Sequence, residues 1–144
     1  MIIWGGAFEK YVRIVSTAQN RALRSFFGMC KQESVKEVYS MLDLLILTQI
    51  YKLYSGLLLF KFHNFKYCDQ VFRHVNQVHN RPTRASAYDI YINVPRTSEV
   101  QHGVIYKCPH YYNSLSVYIK QSVSVREFKG KMKLYLRQEE MNNV

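Results

Sequence analysis

The chain has 144 residues, 48% of them apolar, and carries 20 Lys and Arg against 10 acids, a formal charge of +10. Length and apolar content suffice for one buried core and exclude a low-hydrophobicity disordered chain, while the charge favours anionic partners, nucleic acid foremost. Three cysteines, Cys30, Cys68 and Cys108, are odd in number and far apart, which argues against a disulfide framework and for a reducing, intracellular setting, nucleus or cytoplasm being left open.

The first residues are apolar but lack the basic start and longer apolar run of a secretory signal. From 8 to 27 apolar residues recur at Phe8, Tyr11, Val12, Val15, Ala18, Ala22 and Phe26. This spacing predicts an amphipathic helix whose stripe docks on a bundle, with Gly28 as its stop. The other face carries Lys10, Arg13, Arg21 and Arg24, where a phosphate backbone can be met, plain solvation being the alternative. Ser34 with Glu37 reads as a capping box for a short helix through about Met41. Thr48 reads as the cap of a longer helix reaching about Phe62, with Asn64 near its end. The apolar stretch over 44–62 is interrupted by Thr48, Gln49, Lys52 and Lys61, so it is expected to be buried in protein and no membrane is expected as a partner.

Around His79, Arg81, Pro82 and Arg84 the texture turns polar and helix cannot continue. A boundary and hinge belong there. Tyr88, Ile90, Ile92 and Val94 then alternate with Asp89, Tyr91 and Asn93; that is strand periodicity, and 103–107 is the expected hairpin partner. Ser124 with Glu127 repeats the capping pattern ahead of Val125, Phe128, Met132 and Tyr135, so the chain closes on a basic amphipathic helix. The expected fold is mainly α: a small helical bundle over 1–78, then a tail region over 79–144 with a short β-hairpin and a C-terminal amphipathic helix.

Chemistry-bearing patterns are sparse. The nearest approach to a zinc motif is Cys108-x-His110 with no second pair, Gly5-Gly6 lacks the rest of a phosphate loop, and Tyr67-Cys-Asp-Gln70 ends in Gln where a polymerase turn needs a second carboxylate. No catalytic residue, metal ligand or cofactor is assigned.

The order of the pieces resembles the region downstream of the palm in jockey-like, LINE-type non-LTR retrotransposon reverse transcriptases. Ile2-Ile-Trp-Gly5 is similar to the family's Tyr-Gly-x-x-x-Trp-Gly, and 15–24 to its Leu-Gln-x-Lys/Arg-Ala-Ile/Leu-Arg helix. Leu42-Asp-Leu-Leu-Ile-Leu47, Ile50-Tyr-Lys-Leu53 and Phe60-Lys-Phe-His63 follow in the family's order. Val78-His-Asn80 with Thr83-Arg84, Val94-Pro-Arg-Thr97, Tyr112-Asn-Ser-Leu115 and Ser124 with Phe128-Lys129 resemble its C-terminal block, with Cys108 and Tyr112 where the family has Gly and Trp.

The resemblance implies a thumb-like segment and post-thumb tail of an RNA-directed DNA polymerase, without the palm and its metal-binding carboxylates. It further implies a non-enzymatic remnant whose partners are a template-primer duplex and the rest of the parent polymerase. Lys10, Arg13, Arg21 and Arg24 are the expected backbone contacts, with the helix bearing Lys129, Lys131 and Lys133 as the alternative surface. Two rival readings are a standalone basic protein-interaction module docking through aromatics, and a small hydrolase using Cys108 or a His.

Overall fold

The computed structural model of the chain describes residues 9–79 and 87–142, the side chains as far as Glu139. Helix α1 spans Glu9–Phe26, α2 Lys36–Met41, α3 Leu47–Phe65, α4 Val75–Val78, α5 Ser98–Gln101, α6 Val104–Ser114, α7 Val117–Lys120 and α8 Val125–Asn142.

The core is organised around α3, which is buried nearly all round, through Tyr51, Leu53, Leu57, Leu59, Phe60 and Phe62 among others. A helix apolar on every side has to be enclosed, and here α6 and α8 enclose it. Phe60 stacks on Phe128 of α8 with ring centroids 4.5 Å apart. Gly56 permits that approach, because a Cβ there would meet Phe128 Cζ at 3.3 Å and Met132 Cε at 3.4 Å. From α6 come Cys108 and Tyr112, from the next turn Leu115, and from α8 Phe128, Met132 and Leu136. The two ends of the chain's second half are therefore built into the same core as α3. The boundary expected at 78/79 adjoins residues 80–86, which lie outside the described residues.

Several ends form as their local chemistry dictates. After α1, Gly28 adopts a left-handed φ of 63°, Met29 N–H donates to the Arg24 carbonyl at 2.9 Å and Gly28 N–H to that of Ser25 at 3.4 Å, which together satisfy the helix's last carbonyls. At α8, Glu127 N–H donates to Ser124 Oγ at 3.1 Å, while the Glu127 carboxylate accepts from Val123 N–H at 2.9 Å. Two expected caps differ. Helix α2 has Val35, not Ser34, at its cap, and Ser34 Oγ accepts only a long bond of 3.4 Å from Lys36 N–H. Helix α3 begins one residue before Thr48, and Gln49 supplies the cap by accepting from Ile46 N–H at 3.1 Å.

The expected β-hairpin is not formed: among the described residues there is no strand, only an isolated antiparallel bridge between His74 and Ile90. Residues 103–107 open α6 instead. Val104, Cys108, Tyr111, Tyr112 and Leu115 recur at helical spacing, and all pack on or in the core. Deprived of that partner, Ile90 is met from two other directions. Tyr91 N–H donates to the Arg73 carbonyl at 2.7 Å and Val75 N–H to that of Asp89 at 3.1 Å. The Asn113 side-chain amide then clasps the backbone of Ile90, accepting its N–H at 2.9 Å and donating to its carbonyl at 2.8 Å. A single amide thus takes the place of a neighbouring strand.

Candidate nucleic-acid interface

Helix α1 puts Lys10, Arg13, Arg21 and Arg24 within about 80° of one another around the axis and spreads them over about 21 Å along it. Lys10, Arg13 and Arg21 are exposed, and Arg24 is partly buried. Glu9 is the only acid on the helix. Lys10 Nζ lies 4.8 Å from the centre of the Tyr11 ring, and Arg24 is held back by donating from Nε to the Glu33 carbonyl at 2.9 Å. Three of the four expected cations thus stand at the surface, while the fourth also ties the helix to the turn that follows it. A shallow open depression over Glu9, Lys10, Arg13, Ile14 and Thr17 belongs to this one helix face, so it offers an anion a surface and not an enclosure.

The apolar stripe of α1 does not dock as its periodicity predicts. No residue of the helix is buried, and the stripe residues Tyr11, Val15 and Phe26 are 52%, 53% and 82% exposed. The side that turns inward meets the stripe only at its edge, Val12, and is otherwise made of Ser16, Gln19, Asn20 and Leu23, all partly covered. Its best-defined tether is polar: Tyr39 Oη donates to Asn20 Oδ1 at 2.9 Å. The inward flank lies about a quarter turn round from Tyr11 and Val15; α3 packs against the helix and Tyr39 of α2 reaches it at Asn20.

A second basic row lies on α8 and was only partly visible in the sequence. Arg126, Lys129, Lys133 and Arg137 stand at i, i+3, i+7 and i+11 along one flank of the helix, Arg126 and Lys129 exposed and Lys133 and Arg137 partly covered, about a quarter turn round from the fully buried Phe128, Met132 and Leu136. Lys131, expected to belong to this surface, points elsewhere. Its Nζ bonds Glu127 at 2.7 Å and the Tyr118 carbonyl at 3.2 Å and sits 4.0 Å from the Tyr118 ring centre. Arg126 and Arg137 were missed, although the i+3, i+7, i+11 spacing was there to be read.

Other groups with chemical potential are engaged in structure. Cys108 has no exposed surface, its Sγ is 3.8 Å from Tyr51 Oη, and burial pushes the thiol up from its ordinary value, the opposite of what a nucleophilic thiolate needs. His110, two residues on, is exposed, so Cys108 and His110 do not converge. His63 and His74 pack edge to face, 5.0 Å between centroids, beside Phe62 and Tyr88, and burial lowers the affinity of both for a proton. Among the described residues no three His, Cys, Asp or Glu side chains gather as metal ligands, and no helix is long and apolar enough to cross a membrane. The cysteines are free thiols. No protein-family model, curated protein or solved structure matches the chain.

Proposed function

We propose that the chain is a non-catalytic, nucleic-acid-contacting piece derived from a retrotransposon reverse transcriptase, its exposed cations meeting the phosphate backbone without reading sequence. The observation that carries the reading is the two-sidedness of α1. Its cations Lys10, Arg13 and Arg21 face solvent with a single acid on the helix, and its apolar stripe is uncovered. A helix of this kind suits a segment that packs within a larger assembly while its polar side lies along a polyanion. The ordered motifs from Ile2 to Lys129 point to an RNA-directed DNA polymerase as the parent, and the rest of that polymerase is then what covers Tyr11, Val15 and Phe26.

The test is duplex binding by the whole chain over a salt series. Affinity falls steeply with salt, and changing Lys10, Arg13, Arg21 and Arg24 to Gln flattens the slope of log affinity against log salt by about 0.9 per lost contact with duplex DNA. Salt-independent binding, or none, overturns the reading. On a primed template with magnesium the chain incorporates no nucleotide, since polymerase chemistry needs a carboxylate-held pair of metal ions; incorporation by the purified chain refutes the non-catalytic part.

The same exposed stripe favours a second reading, a protein-interaction module docking through Tyr11, Val15 and Phe26. In that case binding to a protein partner is lost when Val15 and Phe26 become Ser and changes little with salt.

A further inference from the structure

We infer that the principal seat of the nucleic-acid backbone is the row Arg126, Lys129, Lys133 and Arg137 on α8, with the α1 cations as a secondary contact. This rests on the reading of the chain as a nucleic-acid-contacting protein and names the surface that does most of the work.

The row advances in steps of about 4.5, 6 and 6 Å, roughly 16 Å in all. A duplex backbone presents a phosphate at every nucleotide, so a row of this length can set its three cations unpaired among the described residues, Arg126, Lys129 and Lys133, against phosphates of one strand. Neighbouring carboxylates cancel only its last member. Glu127 is taken by Lys131 at 2.7 Å and Glu139 by Lys52, while no carboxylate among the described residues pairs with Arg126, Lys129 or Lys133. Arg137 pairs with Asp43 and ends the row.

Two further features distinguish this surface from that of α1. The row rides on a helix anchored by three side chains with no exposed area, Phe128, Met132 and Leu136, so little backbone order has to be gained on binding. Beside the row sits Gly130, where a Cβ would meet nothing within 4 Å. The missing side chain leaves the helix backbone open to close approach by a bulky polyanion. Helix α1, burying nothing, offers its cations from a less firmly held base.

The experiment compares two triple variants of the full chain with the parent in anisotropy titrations against a short DNA duplex over a salt series. Arg126→Gln/Lys129→Gln/Lys133→Gln is expected to lose binding tenfold or more and to flatten the salt slope by about 2.7, three contacts at about 0.9 each. Lys10→Gln/Arg13→Gln/Arg21→Gln loses less, and Glu127→Gln/Lys131→Gln, which removes both members of a neutral pair, binds like the parent. Unchanged circular dichroism and melting in each variant show that binding and not folding is being read, and Lys129→Glu alone, an exposed substitution, repeats the loss by charge reversal. If the parent binds and the α1 triple carries the larger loss, this inference falls and the nucleic-acid reading stands. If the parent binds anionic vesicles but no duplex, both fall.

Discussion

Helices α1 and α8 are of equal length, 18 residues each, both amphipathic and both rich in Lys and Arg. The latter buries Phe128, Met132 and Leu136 completely, whereas the former buries nothing and leaves Phe26 82% exposed. Amphipathic periodicity therefore identifies which residues ought to be covered, and says nothing about what covers them. The difference lies in the partner. Helix α3 presents Gly56 and Phe60 to α8 as a shaped receiving surface, while the flank of the bundle near α1 offers the hydroxyl of Tyr39 to Asn20.

The sharpest way to break this contrast is to shorten one apolar side chain on each helix. Phe128→Ala is expected to cost about 3–5 kcal/mol, because it deletes a buried ring and leaves a cavity against Phe60; Phe26→Ala on α1 should stay within about 0.5 kcal/mol. Chemical denaturation reads both, and equal losses would mean that α1 is covered in solution after all. Removing Lys120 comes next. Its Nζ, on a residue 2% exposed, donates to Asp89 Oδ1 at 3.0 Å and to the Asn113 carbonyl at 2.9 Å. Lys120→Ala strands a half-buried carboxylate and should cost about 3 kcal/mol, the low end for a broken buried pair since Asp89 retains some exposure. The double variant Lys120→Met/Asp89→Asn should recover most of that loss in the same measurement.

A smaller effect is expected from pH. Burial holds the folded-state affinity of His63 and His74 for protons below their ordinary value of 6.5, with the neighbouring His74 further lowering that of His63. The unfolded chain then binds more protons, so the stabilisation is complete above about pH 6.5 and is lost as pH falls below it. His63→Phe/His74→Phe should flatten melting temperature against pH over that window, and an unaltered profile would assign acid sensitivity elsewhere. The smallest expected change is Tyr112→Phe. The ring has no exposed area and its hydroxyl has no hydrogen-bond partner among the described residues, so removing the oxygen should leave stability unchanged or raise it by about 1 kcal/mol. A loss of more than that would reveal a partner for the hydroxyl.

Much of the helical frame could be read from the chain itself because its signals are local. Gly28 stops α1 and Ser124 with Glu127 starts α8, each through bonds spanning a few residues. The hairpin could not be judged in the same way. The alternation around Ile90 is real, but what satisfies Ile90 is an amide 23 residues away, and no pairwise pattern announces that Asn113 will be turned towards it. The basic face of α1 followed from helical periodicity, yet the bond from Arg24 to Glu33 depends on how the turn after Gly28 folds back. On α8 the departure of Lys131 from the basic row was legible, since Glu127 sits one helical turn before it.

The sharing of one core by α3, α6 and α8 bears on what happens when the chain is severed. A break between 79 and 87 would leave one fragment holding Phe60 and Leu57 without their cover, and another holding Phe128, Met132 and Tyr112 without the helix they enclose. Neither piece has a complete interior, yet each carries the complement of the other, with the Asn113 clasp on Ile90 wholly inside the second. Co-expressed halves of this protein should thus reassemble into a two-chain version of the intact molecule, a property that would make the split itself a reporter of when the two halves meet.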